Sequence, residues 1–297
     1  MLRHRPGPGD TVSPGRSPGP GRRAGPRGRG GGGAAQGGRD RRRLGGEQVE
    51  GRRSVRELLA APRSRAVEVW VAEDVAPSAV IDEIVELAVS RRVPLRRVGR
   101  ARLEGAARTE APQGVLARAR PLEEVDLEEL ARGGRRGPPF LVVLDGVTDP
   151  HNLGNLLRSA LCAGATGAVL ARHRAVHVTP AAAKAAAGAI EHLPIALVPG
   201  VPSALEVLTR SSVWLVGLEA AAPLSLFDLD LAGEAMAVVV GGEGRGLGRL
   251  TARRCDVLAA IPLAGPLDSL NVAAAGAVAC FTVARARRGV DSGGGTG

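Results

Sequence analysis

Strand and helix signals alternate along the chain from residue 140 to residue 287, and this constrains the fold more than any other feature. Short runs rich in Val, Ile and Leu recur at residues 140–144, 168–170, 195–198, 214–217, 237–240 and 257–261. Helical patterns lie between most of them, at 153–163, 179–191 and 203–209, and a last one spans 271–287. Strands separated by helices need crossover connections, so the pattern predicts a parallel α/β sheet with helices on its faces. Thr179 caps the second helix and Pro180 opens its first turn. The last helix is apolar nearly all round from Val272 to Val283, which predicts burial against the sheet and against a second subunit.

A smaller α/β unit precedes this one. Residues 51–60 read as a short helix, 67–72 as an alternating strand, 78–90 as an amphipathic helix, and 94–98 and 113–119 as further strands. Residues 121–138 read as a connector, acidic at first and then rich in Gly, Pro and Arg. Residues 1–46 hold eleven arginines against Asp10 and Asp40, which is nine of the chain's ten net positive charges. With almost no large apolar side chains, that segment is expected to be disordered, either as an RNA-tethering arm or as a dispensable extension. The expected divisions are a basic tail at 1–46, a small α/β unit at 47–120, a linker at 121–138, a main domain at 139–288 and a disordered end at 289–297.

Composition excludes several classes. No apolar run approaches the ~20 residues of a membrane span. Cys162, Cys255 and Cys280 lack the spacing of a zinc site or a disulfide framework, which fits a reducing cytoplasm and no metal. Lys184 is the sole lysine, so no Walker A motif exists. Aromatic residues are 2% of the chain and tyrosine is absent, against modules that stack bases on aromatic platforms.

Three segments follow predicted strands, where open α/β sheets gather ligands. The first, residues 144–160, sets Asn152 at a helix start, with Asn155 and Arg158 off the apolar face; capping and a solvated arginine would equally explain these. The second, residues 238–247, is V-V-V-G-G-E-G-R-G-L, a glycine-rich turn holding Glu243. The third, residues 261–272, offers Asp268 or Ser269 as N-cap of the final helix, with Asn271 in its first turn.

Taken in order, D-P-x-N-x-G-x-x-x-R (149–158), G-x-E-G-x-G-L (241–247) and I-P with S-L-N-V (261–272) resemble the signature motifs of the SpoU/TrmH family of RNA 2′-O-ribose methyltransferases, in the SPOUT superfamily. The segment around Ala187-Gly188-Ala189 and Glu191-His192-Leu193-Pro194 is also similar to that family, as are residues 49–59 and 113–117 to its small substrate-binding domain. The subset resembled is the bacterial guanosine 2′-O-methyltransferases of 23S rRNA. Pro112, where that subset has His, and Gly242, where Ser or Ala is common, depart from the pattern.

The resemblance implies a SPOUT domain with a deep trefoil knot, a homodimer, and S-adenosylmethionine as cofactor. Gly241, Ile261 and Leu270 would contact the donor, largely through main-chain groups. Arg158 would handle the ribose hydroxyl or hold an RNA phosphate, and Asn152, Glu243, Ser269 and Asn271 would shape the site. The expected partner is RNA, chiefly 23S rRNA. A tRNA methyltransferase of the same family and a noncatalytic ribosome-assembly factor are the competing readings.

Overall fold

The computed structural model describes residues 44–133, 137–173, 177–231 and 233–293. Residues 1–43 of the tail expected at 1–46, and residues 294–297 of the end expected at 289–297, lie outside them.

The first sheet has the order β1-β4-β2-β3. It comprises β1 (Gln48–Glu50), β2 (Ala66–Ala72), β3 (Leu95–Val98) and β4 (Val115–Ala119), with helices α1 (Arg52–Ala60), α2 (Ala79–Ser90) and α3 (Arg100–Ala106) between the strands. Strand β4 runs antiparallel to β1 and β2, and β2 runs parallel to β3. Val55, Leu58 and Leu59 of α1 and Ile81 and Ile84 of α2 close over Val69, Val71 and Leu116. Helix α4 (Leu127–Arg132) follows, capped by Asp126.

The second sheet is parallel throughout, in the order β10-β8-β9-β5-β6-β7. Its strands are β5 (Phe140–Asp145), β6 (Gly167–Ala171), β7 (Ile195–Val198), β8 (Trp214–Leu218), β9 (Met236–Gly241) and β10 (Val257–Ala259). The helices are α5 (Pro150–Cys162), α6 (Pro180–Ala185), α7 (Val201–Arg210), α8 (Arg249–Ala252) and α9 (Val272–Gly293). Alternate residues of the central strands serve opposite faces, as the pleat requires. Val142, Leu144, Val238 and Val240 pack with Leu153, Leu156 and Leu157 of α5 and with Ala279, Cys280 and Val283 of α9. Leu141, Val143, Ala237 and Val239 pack with Leu205 and Leu208 of α7. Burial on both faces explains why these strands read as continuous apolar runs.

The structure corrects several boundaries. Order begins by Leu44, which is buried, and Gly46 N–H donates to the Val178 carbonyl at 2.9 Å, so residues 44–46 do not belong to a disordered tail. The 121–138 connector is partly structural: α4 packs against α7 and β7. Helix α9 runs to Gly293, past the expected end of the domain at 288. The helix expected over 179–191 breaks after Ala185, because Ala187 and Gly188 take positive φ. A Cβ on Gly188 would lie 2.3 Å from Glu57 Cβ, so this bend exists where α1 of the first unit docks onto the second.

That docking is built from several contacts. Ser54 Oγ donates to the Ala183 carbonyl at 3.3 Å, and His192 Nε2 pairs with Glu57 at 2.8 Å. The Arg65 guanidinium forms a two-pronged bond to Glu191 at 2.9 and 2.7 Å, and also donates to the Gly46 and Arg120 carbonyls. Arg65 and Glu191 are both buried, and their fork geometry suits a desolvated pair.

Candidate active site

The three motif segments meet at the carboxyl ends of β5, β9 and β10. Asp149 caps α5 by accepting from His151 N–H at 2.9 Å, which sets Asn152 in the first turn, buried. Asn152 Nδ2 donates to Glu243 Oε1 at 2.6 Å, and Asn152 Oδ1 accepts from Asn271 Nδ2 at 3.0 Å. One side chain from each motif therefore joins a single hydrogen-bonded chain. Asn271 is itself the N-cap of α9, since its Oδ1 accepts from Ala273 N–H at 2.9 Å and Ala274 N–H at 3.3 Å. This corrects the assignment of that cap to Asp268 or Ser269. The short side chain of Asn does both jobs, capping with oxygen and donating with nitrogen.

The glycine-rich loop is pinned at both ends by Asp145, the last residue of β5. Its carbonyl accepts from Gly242 N–H at 2.8 Å, and its carboxylate accepts from Gly248 N–H at 2.9 Å. Sequence reasoning missed Asp145; a carboxylate closing a strand opposite a glycine loop was the available signal. The loop folds so tightly that a Cβ on Gly241 would fall 2.1 Å from the Gly246 carbonyl carbon, and one on Gly242 2.1 Å from the Gly146 carbonyl oxygen. Gly241 pairs with Asp145 across the sheet.

Ile261 follows β10 by two residues and is half-buried, while residues 262–270 are exposed, Leu270 and Leu267 among them. Strand order puts the ends of β9 and β10 two strands apart, about 10 Å. Ser269 is exposed and, among the described residues, bonds to Asp268 at 3.3 Å and not to the Asn152 chain. Nor does Arg158. It lies six residues beyond Asn152 on α5, about 9 Å along the axis and on another side of the helix. It is exposed and lines a 360 Å³ cavity with Arg53, Arg56, Glu57 and His192.

Burial, aided by the charges of Asp256 and Asp145, pushes the Cys255 thiol up to about 12, and burial alone does the same for Cys280. Neither is a nucleophile at neutral pH. Among the described residues no cluster of His, Cys, Asp and Glu is arranged to hold a metal ion. No described helix is long and apolar enough to cross a membrane.

The parallel sheet that carries this site is shared with SpoU methyltransferases, of the SPOUT class. Residues 139–281 match the SpoU rRNA methylase family, and residues 48–125 match the substrate-binding domain of RNA 2′-O-ribose methyltransferases. The chain belongs to this family of RNA 2′-O-ribose methyltransferases. It is similar to a 23S rRNA (guanosine-2′-O-)-methyltransferase, RlmB, of Photobacterium profundum, 35% identical over 248 residues that cover 82% of this chain and 100% of the relative. A protein of the same name from Xylella fastidiosa is 42% identical over 210 residues, 69% of this chain and 83% of that one. Among solved structures, the SpoU methyltransferase AviRb of Streptomyces viridochromogenes, in complex with the cofactor AdoMet, shares the fold with a TM-score of 0.68 at 23% identity, over 86% of this chain and 95% of that chain.

Proposed function

We propose that this enzyme methylates the 2′-hydroxyl of a guanosine in 23S rRNA, in the bacterial cytoplasm, with S-adenosylmethionine as donor. The observation that carries this reading is the Asn152–Glu243–Asn271 chain, which joins all three motifs at the strand ends. The site suits the donor. Gly241 offers backbone with no room for a side chain, and half-buried Ile261 and exposed Leu270 bring apolar side chains from the third motif, the pairing an adenosine needs. When bound, the donor supplies an electrophilic methyl on a sulfonium. The chain's own task is to orient the ribose in line and let its hydroxyl proton depart.

Arginine is a poor proton acceptor as a residue type, and its forked donors suit phosphate, so Arg158 holds a phosphate and orients the ribose. Asn152, Glu243 and Asn271 fix the loops, and Ser269 lines the mouth of the site. The unit built on the first sheet, from residue 44 to 119, binds substrate, and the unit built on the second sheet, from residue 139 to 293, carries the chemistry. The C-terminal segment forms a trefoil knot. Support for the knot comes from the chain's path: it leaves edge strand β10 and ends as α9 against α5 and β9, with Asn271 tied to Asn152.

The enzyme works as a homodimer. Phe281 on α9 and Leu263, Leu267 and Leu270 are exposed apolar side chains that a second copy would cover, and Arg158, outside the Asn152 hydrogen-bonded chain of its own subunit, serves the donor loops of the partner. Mixing Arg158→Ala with Gly241→Ala protein, each impaired alone at donor concentrations too low to fill the Gly241→Ala site, then restores about a quarter of wild-type turnover through heterodimers. No restored activity would contradict the shared site. The activity itself is tested by incubating the protein with unmodified 23S rRNA or with tRNA and labelled donor, then mapping the product nucleoside. Label in 2′-O-methylguanosine of 23S rRNA is expected. Label in tRNA alone would assign the tRNA substrate, and no label in either would overturn the reading.

A further inference from the structure

Two cavities lie side by side along the seam between the two sheets. One, of 360 Å³, is lined by Arg53 and Arg158; the other, of 600 Å³, by Arg52, Arg53 and Lys184; they share Arg53, Val80 and Ala187. The chain outside residues 1–46 is nearly neutral, so a run of cations on one seam is a local construction. The carboxylates around it are already engaged. Glu57 and Glu83 are taken by Arg56 and His192. Glu50 is fully buried and accepts from the N–H groups of Arg108 and Thr109 and from the Thr109 hydroxyl.

Arg52, by contrast, is steadied by neutral groups, the Gln113 carbonyl at 3.2 Å and Ser78 Oγ at 3.2 Å. Among the described residues Lys184 reaches Thr109 Oγ1, at 3.4 Å, and no carboxylate. Among the described residues Arg53 and Arg158 have no carboxylate partner. The walls are held at fixed separation by the Ser54–Ala183 bond and by the close approach of Gly188 to Glu57.

We infer that this seam is the track of the RNA phosphodiester backbone, with Arg52, Arg53 and Lys184 neutralising phosphates next to the nucleotide whose ribose reaches Arg158. The inference rests on the RNA-methylating activity proposed above and adds where the strand runs. Two adjoining cavities with Arg52 and Arg53 of α1 on one wall and Arg158 and Lys184 on the other fit a linear polyanion. With tyrosine absent and aromatic residues scarce, contacts to phosphate rather than stacked bases must supply the affinity. Lys184 sits on the methyltransferase side of the seam, so the RNA would bridge both parts of the chain.

The test is the salt dependence of binding of an unmodified 23S rRNA fragment to the full chain. Each phosphate contact to single-stranded nucleic acid contributes about 0.7 to the slope of log K against log salt, about fivefold in affinity at 0.1 M salt. Arg53→Gln and Lys184→Gln are each expected to lower the slope by that amount, and the double variant by about twice it. Arg210→Gln, on α7 against the opposite sheet face, is expected to leave it unchanged. Calorimetric S-adenosylmethionine affinity equal to wild type in each variant shows that the fold is intact. Wild-type methylation with unaltered slopes in the seam variants would overturn the track alone. Failure of the wild-type protein to bind or methylate RNA would overturn both the track and the activity it rests on.

Discussion

Replacing Gly241 by Ala tests the donor loop at the point where it is tightest. The new methyl would sit 2.1 Å from the Gly246 carbonyl carbon, 2.3 Å from its oxygen and 2.4 Å from Leu247 N, all backbone. Ordinary contact begins near 3.4 Å, so the opposing strand of the loop must retreat by more than 1 Å. Overpacking costs about 1–3 kcal/mol, and the upper end applies because Asp145 pins both ends of the loop.

If the strain stays in the native fold, the melting temperature falls by about 6–12 °C for a chain of this size. If the loop instead opens locally, the donor-competent form is depleted by about 100-fold and apparent affinity falls equally. Thermal denaturation and calorimetric titration with S-adenosylmethionine read both. Gly99→Ala, where nothing lies within 4 Å of the added methyl, serves as control and is expected to change neither. A Gly241→Ala protein with wild-type melting and wild-type donor affinity would refute the reasoning.

Arg65→Ala would leave Glu191 buried without its partner, and urea titration is expected to show a loss of about 3–5 kcal/mol; a loss under 1 would deny the seam its anchor. Gly105 lies inside α3 with open space around it, so Gly105→Ala is expected to stabilise by about 0.5–1 kcal/mol, and destabilisation in the same titration would contradict the helix. Native protein at pH 8 should offer one fast-reacting thiol, exposed Cys162, to a chromogenic disulfide; rapid reaction of Cys255 or Cys280 would contradict their burial.

The parallel sheet was legible because β5 and β9 are buried on both faces and carry apolar residues without interruption. Short elements escaped. Strand β1 has three residues, and α3, rich in arginine, buries only Leu103. Helix α4 hid inside an acidic stretch, where Asp126, Glu128 and Glu129 read as solvated charge although they form its cap and first turn. At the site, residue types in the motifs pointed to Asn152, Glu243 and Asn271, but not to the bonds among them, because those depend on a loop closing across 119 residues of chain. Asp145 could be noticed as a carboxylate closing a strand, but not its bond, because its partner Gly248 lies 103 residues away. The position of Arg158 follows from helix rotation, which spacing gives, and from the docking of α1, which it does not.

The central claim is that the donor is gripped where the three motifs converge. Amide hydrogen exchange with and without S-adenosylmethionine tests it most directly. Protection is expected in residues 241–248 and 261–272, with little change in the first sheet. Protection confined to the first sheet or to the seam, with those two segments exchanging as before, would contradict it.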